Sequence, residues 1–423
     1  MHHKGDVMEV ALVMEWLSLA ARWFHVIAGI AWIGSSFYFI ALDLGLRQAP
    51  DMPDGVYGEE WQVHGGGFYH IRKYLVAPAA LPEHLTWFKW ESYWAWMSGF
   101  ILLVLVYYAG AELFLVDPDV LDISPALGIA ISIGSMVFGW FAYDFICKSP
   151  LGRNNTTLML LLYVLLVIMA WGYTQVFTPR AAFLHLGAFT ATIMAANVFL
   201  TIIPSQKIVV ADLQAGRTPD AKHGILGKQR STHNNYLTLP VVFLMLSNHY
   251  PQAFATEFSW VIASLVFLMG VTIRHYFNSV HGRKGSPIWT WGVTVMIFIV
   301  IMWLSAFSTL FESEAEESTQ LTPSQQRFAE APAFSEVRNV VQGRCAMCHA
   351  SVTAWDGIIK APKGVKLETD RQIVANARQI YLQAGHTRAM PPANVSFMDD
   401  DERRLIVEWY RSVAGTGFAS VLN

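Results

Sequence analysis

Cys345-Ala346-Met347-Cys348-His349 governs how this chain is read. C-x-x-C-H is the spacing at which two thiols add to the vinyl groups of a haem while the adjacent imidazole ligates the iron. The chain holds three cysteines, two of them here, which suits a single covalent attachment and not a disulfide framework. Downstream, Met390 is followed by Pro391 and Pro392, a thioether on a stiff turn suited to the opposite axial position. Met398 is the competing thioether. The expectation is one haem c bound through Cys345 and Cys348, with His349 and Met390 as iron ligands.

Outward from that motif, Ser324 to Gly343 reads as an amphipathic N-terminal segment. Asp399 to Val413 reads as an amphipathic helix whose Leu405, Ile406, Trp409 and Tyr410 are available to pack. Together with the attachment motif and the Met390 loop, these segments resemble a class I cytochrome c domain, expected over residues 324–423.

The 323 residues before it are of another kind. The whole chain is 54% apolar, 13% aromatic and 14% charged, with 16 tryptophans, too apolar for a soluble protein of 423 residues. Apolar runs long enough to cross about 30 Å of hydrocarbon recur near 20–42, 93–116, 125–147, 157–177, 181–203, 237–250, 256–277 and 288–311. The sixth is short and carries Pro240. The predicted fold is therefore all-α: a polytopic eight-helix transmembrane bundle over 1–311, an acidic tether over 312–323 (Glu312, Glu314, Glu316, Glu317), then the haem domain. No cleavable signal is evident, and the first run is expected to stay as an anchor. A net charge of -3 and the lack of a basic, aromatic-interleaved stripe give no reason to expect nucleic acid.

Lysine and arginine set the orientation. Loops 43–92, 148–156 and 204–236 and the connection after the seventh run hold fourteen of them, against Arg180 alone in the intervening loops. The first set is placed in the cytoplasm, which puts both termini on the periplasmic side of a bacterial inner membrane. Haem c is attached on that oxidising face, so the two arguments agree. Cys147, at the inner end of the third run, reads as a buried structural thiol.

Ionisable groups inside spans mark functional sites by default. His25, His185 and His249 fall near the outer ends of the first, fifth and sixth runs and could ligate a second redox centre, a haem b or a metal. Arg22, three residues before His25, could pair with a propionate. The competing reading is that these imidazoles snorkel or hydrogen-bond neighbouring helices. His233 is read as a cytoplasmic-loop residue. The first cytoplasmic loop carries His64-Gly65-Gly66-Gly67-Phe68-Tyr69-His70-Ile71-Arg72-Lys73-Tyr74. Its glycines allow close approach to a ligand or a tight hairpin, and no Lys-Ser/Thr follows them as a phosphate-binding loop would need.

The opening Arg22-Trp23-Phe24-His25-Val26-Ile27-Ala28-Gly29-Ile30-Ala31-Trp32-Ile33-Gly34, the His64 to Lys73 stretch and the fused haem domain together are similar to the membrane-bound urate hydroxylases, cytochrome-c-linked urate oxidases of bacterial purine breakdown. The resemblance implies oxidation of urate to 5-hydroxyisourate, with electrons passed through haem c to a periplasmic cytochrome c or a terminal oxidase. Urate is a planar monoanion near neutral pH, so its pocket should offer a cation, a stacking face and a base. His70, Arg72 and His64 are the candidates for that site, with His84 and Arg230 outside the set and Arg22, His25 and His185 as the rival location. From the residues alone, a quinol-oxidising or electron-transfer cytochrome subunit of a respiratory chain stands as the alternative.

Overall fold

The computed structural model describes residues 3–74, 82, 84–118, 120–311, 321–356, 358 and 361–414. In chain order its elements are α1 (His3–Gly45), β1 (Val56–His64), β2 (Gly67–Tyr74), α2 (Trp90–Leu103), α3 (Ala111–Phe114), α4 (Pro125–Lys148), α5 (Asn155–Thr174), α6 (Pro179–Ala196), α7 (Ile203–Gln214), α8 (Ala221–Leu246), α9 (Ser259–His281) and α10 (Trp289–Phe311). The C-terminal part adds α11 (Pro323–Ala329), α12 (Phe334–Arg344), α13 (Asp370–Ala375), α14 (Ala377–Ile380) and α15 (Asp400–Ala414). Helix dominates, but the chain is not all-α: β1 and β2 form an antiparallel hairpin. Gly65 and Gly66 take φ of +59° and +81°, the left-handed pair that a two-residue hairpin turn requires. Of the two readings of the triple glycine, the hairpin is the one adopted.

Local sequence signals start several helices. Ser124 accepts the Leu127 N–H and Thr178 the Ala181 N–H, each followed by proline at the first helical position, while Asn154 caps Thr156 and Thr157. Among the described residues, six helices are long and apolar enough to cross a membrane: Val13–Gly45, Pro125–Lys148, Asn155–Thr174, Pro179–Gln214, Ser259–His281 and Trp289–Ala306. The second and sixth expected spans do not qualify. Residues 90–114 are broken into α2, a π-helical stretch at Val104–Tyr108 and the short α3, with Gly110 leaving the helical region at φ -126°, ψ 39°. α8 is one helix of 26 residues, but its first half is polar. Pro240 does not end it. The proline ring packs where Gly270 of α9 has no side chain, and a Cβ there would lie 2.5 Å from the ring.

The ends of the helices separate into two layers. At one end Arg283 bonds the Gly45 carbonyl and Gln229 bonds that of Gly152. At the other, Thr178 bonds Phe114, Arg180 bonds Asn248, and Ser305 bonds Gln252. One apolar core, including Leu158, Leu162, Leu166, Phe177, Phe189 and Ile262, runs between these layers.

Residues 321–414 gather around a second core of Phe334, Val337, Val341, Ile373, Ile406 and Trp409. The amphipathic segment read over 324–343 is two helices, α11 and α12, parted at Ala331-Pro332; α15 occupies the stretch read as helical over 399–413. The Trp409 indole donates to the Phe328 carbonyl at 3.1 Å, and Tyr410 stacks on Tyr381 at 4.4 Å. Arg371 pairs with Asp117 at 3.0 Å and Arg378 with Glu15 at 3.2 Å, joining this unit to the layer in which Thr178 and Arg180 lie. The acidic stretch at 312–320 lies outside the described residues.

Helix contact through small residues yields a stability prediction. A Cβ on Gly139 of α4 would fall 2.0 Å from the Phe189 ring of α6. Gly139→Ala should cost about 1–3 kcal/mol by overpacking, read as an earlier thermal unfolding of detergent-solubilised protein. Gly134, with nothing within 4 Å, should accept alanine without loss.

Candidate buried polar site

α8 carries Arg230, His233, Asn234 and Leu237 at helical spacing, so the four share one face, and that face turns into the bundle. Arg230 is fully buried. Its guanidinium donates to Asp144 of α4 at 2.6 Å and lies 4.8 Å from the Tyr143 ring centroid, and Lys148 closes on the other Asp144 oxygen at 2.6 Å. A buried guanidinium is tolerable only with such a partner, because an unpaired charge in low dielectric costs several kcal/mol.

Neutral groups extend the cluster. The Tyr143 hydroxyl and His233 Nδ1 are 2.7 Å apart, and Asn197 Nδ2 donates both to that hydroxyl, at 3.2 Å, and to Asn234 Oδ1, at 3.0 Å. Asn197 opens a π-helical stretch, Asn197–Ile202, a geometry frequent at functional sites. Beside it, Arg274 of α9 donates to Asn235 at 3.2 Å and to Asn278 at 3.0 Å, with Phe37 beneath its guanidinium. Arg230 Nε and Asn235 Nδ2 are buried without a partner, donors left over in a network that otherwise satisfies itself.

Two cavities reach this cluster. A cleft of about 1210 Å³ runs between the C-terminal end of α4, α5, α8 and α9, with His233 and Gln229 in its wall. A second, of about 70 Å³, lies between α1, α2, α6 and α8 and touches His25 and Asn234. The cluster had not been singled out from sequence: His233 is a helix-interior residue only 2% exposed, not a loop residue. A usable signal existed in the run Arg230-Ser231-Thr232-His233-Asn234-Asn235, whose polar residues continue without a break into an apolar helical run.

The residues read from the hairpin are partly brought together. Glu59 Oε2 lies 2.8 Å from His70 Nε2 and 3.1 Å from Arg72 Nε, and Trp61 stacks on the His70 ring at 4.1 Å. The two neighbours hold the Glu59 carboxyl below its ordinary value, chiefly through the His70 hydrogen bond. His64 stands at the exposed tip, and strand alternation puts it on the opposite face from His70. His70 and Arg72 thus both already serve the Glu59 carboxylate, in a water-exposed place.

The outer histidines His25 and His185 each bond a different local carbonyl. His25 Nδ1 bonds the Ala95 carbonyl and Ser98 Oγ at 3.0 Å each, with Gly99 close enough that a Cβ would sit 2.9 Å from its ring. His185 is fully buried, its Nδ1 on the Ala181 carbonyl at 2.8 Å and its Nε2 facing no partner, walled by Tyr107, Tyr173 and Phe177. His249 is exposed in a short turn. Among the described residues, no three His, Cys, Asp or Glu side chains form a group that could hold a metal.

In the C-terminal unit the attachment motif is a helical turn, with Cys348 and His349 N–H groups both bonding the Cys345 carbonyl. The two thiols are free. Burial, and then Cys348 beside it, pushes the Cys345 thiol up to about 12. His349 Nδ1 lies 2.8 Å from the Val365 carbonyl. That bond fixes the ring and leaves Nε2 free to ligate an iron. Met390 is half-buried, its carbonyl held by Arg403 at 2.9 Å, whereas Met398 is 2% exposed within the core. These residues fit a covalently held haem.

Against this geometry, the family model described as Urate oxidase N-terminal matches residues 11–305. The chain belongs to that family. The match supports an oxidoreductase acting on urate in general terms, and it contains the whole buried cluster while ending before the Cys345 motif. No curated protein and no solved structure matches the chain.

Asp144→Asn leaves the Arg230 charge buried without its counterion and should destabilise the fold by about 3–5 kcal/mol. The double variant Asp144→Asn, Arg230→Met should recover most of that loss in thermal unfolding of the solubilised protein.

Proposed function

We propose that the chain is an integral membrane urate hydroxylase of the bacterial inner membrane. It oxidises urate to 5-hydroxyisourate and passes the electrons through covalent haem c to a periplasmic cytochrome c or a terminal oxidase. Membership of the urate oxidase N-terminal family supports the substrate. The observation that carries the redox half is the His349 imidazole, pinned through Nδ1 to Val365 directly after two free thiols. The sidedness is read from the cations outside the helix interior. Lys148, Arg153 and Lys228 gather at the end opposite Arg180, and with that end in the cytoplasm the C-terminal unit lies on the periplasmic side. Arg230 and Arg274, counted as loop cations from sequence, are buried within α8 and α9.

The reaction balances as urate plus water giving 5-hydroxyisourate, two protons and two electrons. Haem c, when bound, supplies a one-electron acceptor. The protein's part is to bind a planar anion, hold its ring and take up protons. Arg371 with Asp117 and Arg378 with Glu15 then keep the C-terminal unit against the membrane part.

Purified protein supplied with urate and an oxidised soluble cytochrome c should consume urate without forming hydrogen peroxide, and a pyridine haemochrome spectrum should find one haem c per chain. Replacing Cys345 and Cys348 by alanine should abolish turnover. Peroxide in step with urate loss, or full activity in the cysteine variant, would overturn the proposal.

The axial thioether separates two further variants. Met390→Ala should remove the long-wavelength thioether–iron band of the oxidised haem. Met398→Ala should keep that band while destabilising the C-terminal unit by about 2–5 kcal/mol, as loss of a buried methionine does.

A further inference from the structure

The hairpin is a poor seat for urate because Glu59 already engages His70 and Arg72. The geometry points instead to the cleft between α5, α8 and α9 as the substrate pocket, with His233 as the side chain that binds the purine anion and takes its proton. This inference rests on the urate reading above.

Three features of the cleft carry it. Its size of about 1210 Å³ and its predominantly apolar walls, from residues such as Leu162, Leu166, Leu237 and Phe267, suit a small-molecule site with an entrance. Cations stand where it meets the basic end of the bundle: Arg153 and Lys228 line it, beside Lys148, which Asp144 already pairs. They draw an anion toward an otherwise apolar cavity, and a low-dielectric wall strengthens that pull. Polar groups then converge from one helix, since Gln229, Thr232, His233 and Tyr236 all reach the wall from α8.

His233 is distinct among these because it belongs to both the wall and the buried network. Tyr143 engages its Nδ1 at 2.7 Å, leaving Nε2 for an occupant. Behind Tyr143 stand Asn197 and the Arg230–Asp144 pair. Oxidation of one urate to 5-hydroxyisourate forms a C–O bond to the oxygen of one water and releases two protons and two electrons. In the tautomer whose Nδ1–H donates to the Tyr143 hydroxyl oxygen, His233 Nε2 accepts a proton, and the electrons leave for haem c. The cationic network and the imidazole together meet the needs of a planar anion that loses protons as it is oxidised.

Fully reduced protein cannot take electrons from urate, so binding can be read apart from turnover. Dithionite-reduced holoprotein in detergent should bind one urate per chain in equilibrium dialysis. His233→Gln should weaken that binding at least tenfold. So should Leu268→Trp, which fills the cleft from the α9 side without touching the polar network. Haem content and reduction of the haem by ascorbate should stay at the wild-type level in both, showing intact folding. Unchanged urate binding in either variant would overturn the assignment. Loss of a co-purifying anionic phospholipid from Lys228→Glu, with urate binding unchanged, would also overturn it and make the cleft a lipid seat. If wild-type protein binds urate and reduces its haem while the variants match it, only the pocket falls. If wild-type protein neither binds nor is reduced by urate, the functional reading falls with it.

Discussion

The ion pair between Arg230 and Asp144 is the constraint on which the membrane part depends. A guanidinium with no exposure, inside a bundle of apolar helices, dictates where every neighbour must stand. α4 must place Asp144 toward α8, and α8 must carry its polar face inward, not out to water. Tyr143 rides on the same turn of α4 and so meets His233, one turn along α8 from Arg230. Asn197 joins them from the π-helical widening between α6 and α7. Removing Asp144 alone strands the Arg230 charge among apolar helices, whereas removing both partners leaves α8 held by its Asn234 and Asn235 contacts.

This arrangement divides the labour along the molecule. The polar cluster and the large cleft lie toward the end where Lys148, Arg153 and Lys228 gather, and the C-terminal unit is held by two ion pairs at the other end. Under the proposed function, urate oxidised at one end and haem c at the other would need electron passage across a core of about 30 Å. His25 and His185 lie between, but each is committed to a local carbonyl and they face different surroundings. The Arg371 and Arg378 pairs set how near the C-terminal unit comes to the bundle.

Much of this was legible in sequence where the signal is contiguous. The Cys345 to His349 motif is five residues long, and its compact turn, with the Cys348 and His349 N–H groups on the Cys345 carbonyl, is a local feature of that contiguous stretch. Of the eight apolar runs read as spans, six coincide with membrane-length helices among the described residues, and the runs at 93–116 and 237–250 do not. Reading failed where hydropathy and structure part company. α8 was divided into a loop and a short span because averaging treats Arg230, His233, Asn234 and Asn235 as solvent-seeking, when partners from α4, from α9 and from the end of α6 make them insiders. Those partners are 30 to 90 positions away, so no local spacing reveals them. The hairpin was half-read: glycine freedom gave the turn, but the Glu59 clasp on His70 and Arg72 depends on a register fixed only by pairing. Pro240 looked like a break because the vacancy that receives it belongs to Gly270 on another helix.

The central claim is that urate itself is the electron donor to the C-terminal haem. Oxidised holoprotein should be mixed anaerobically with urate in a stopped-flow instrument while the haem c alpha band is followed. Prompt reduction that saturates with urate concentration is the predicted result. A haem that stays oxidised with urate but is reduced by a quinol would contradict the account and return the chain to a respiratory electron-transfer role.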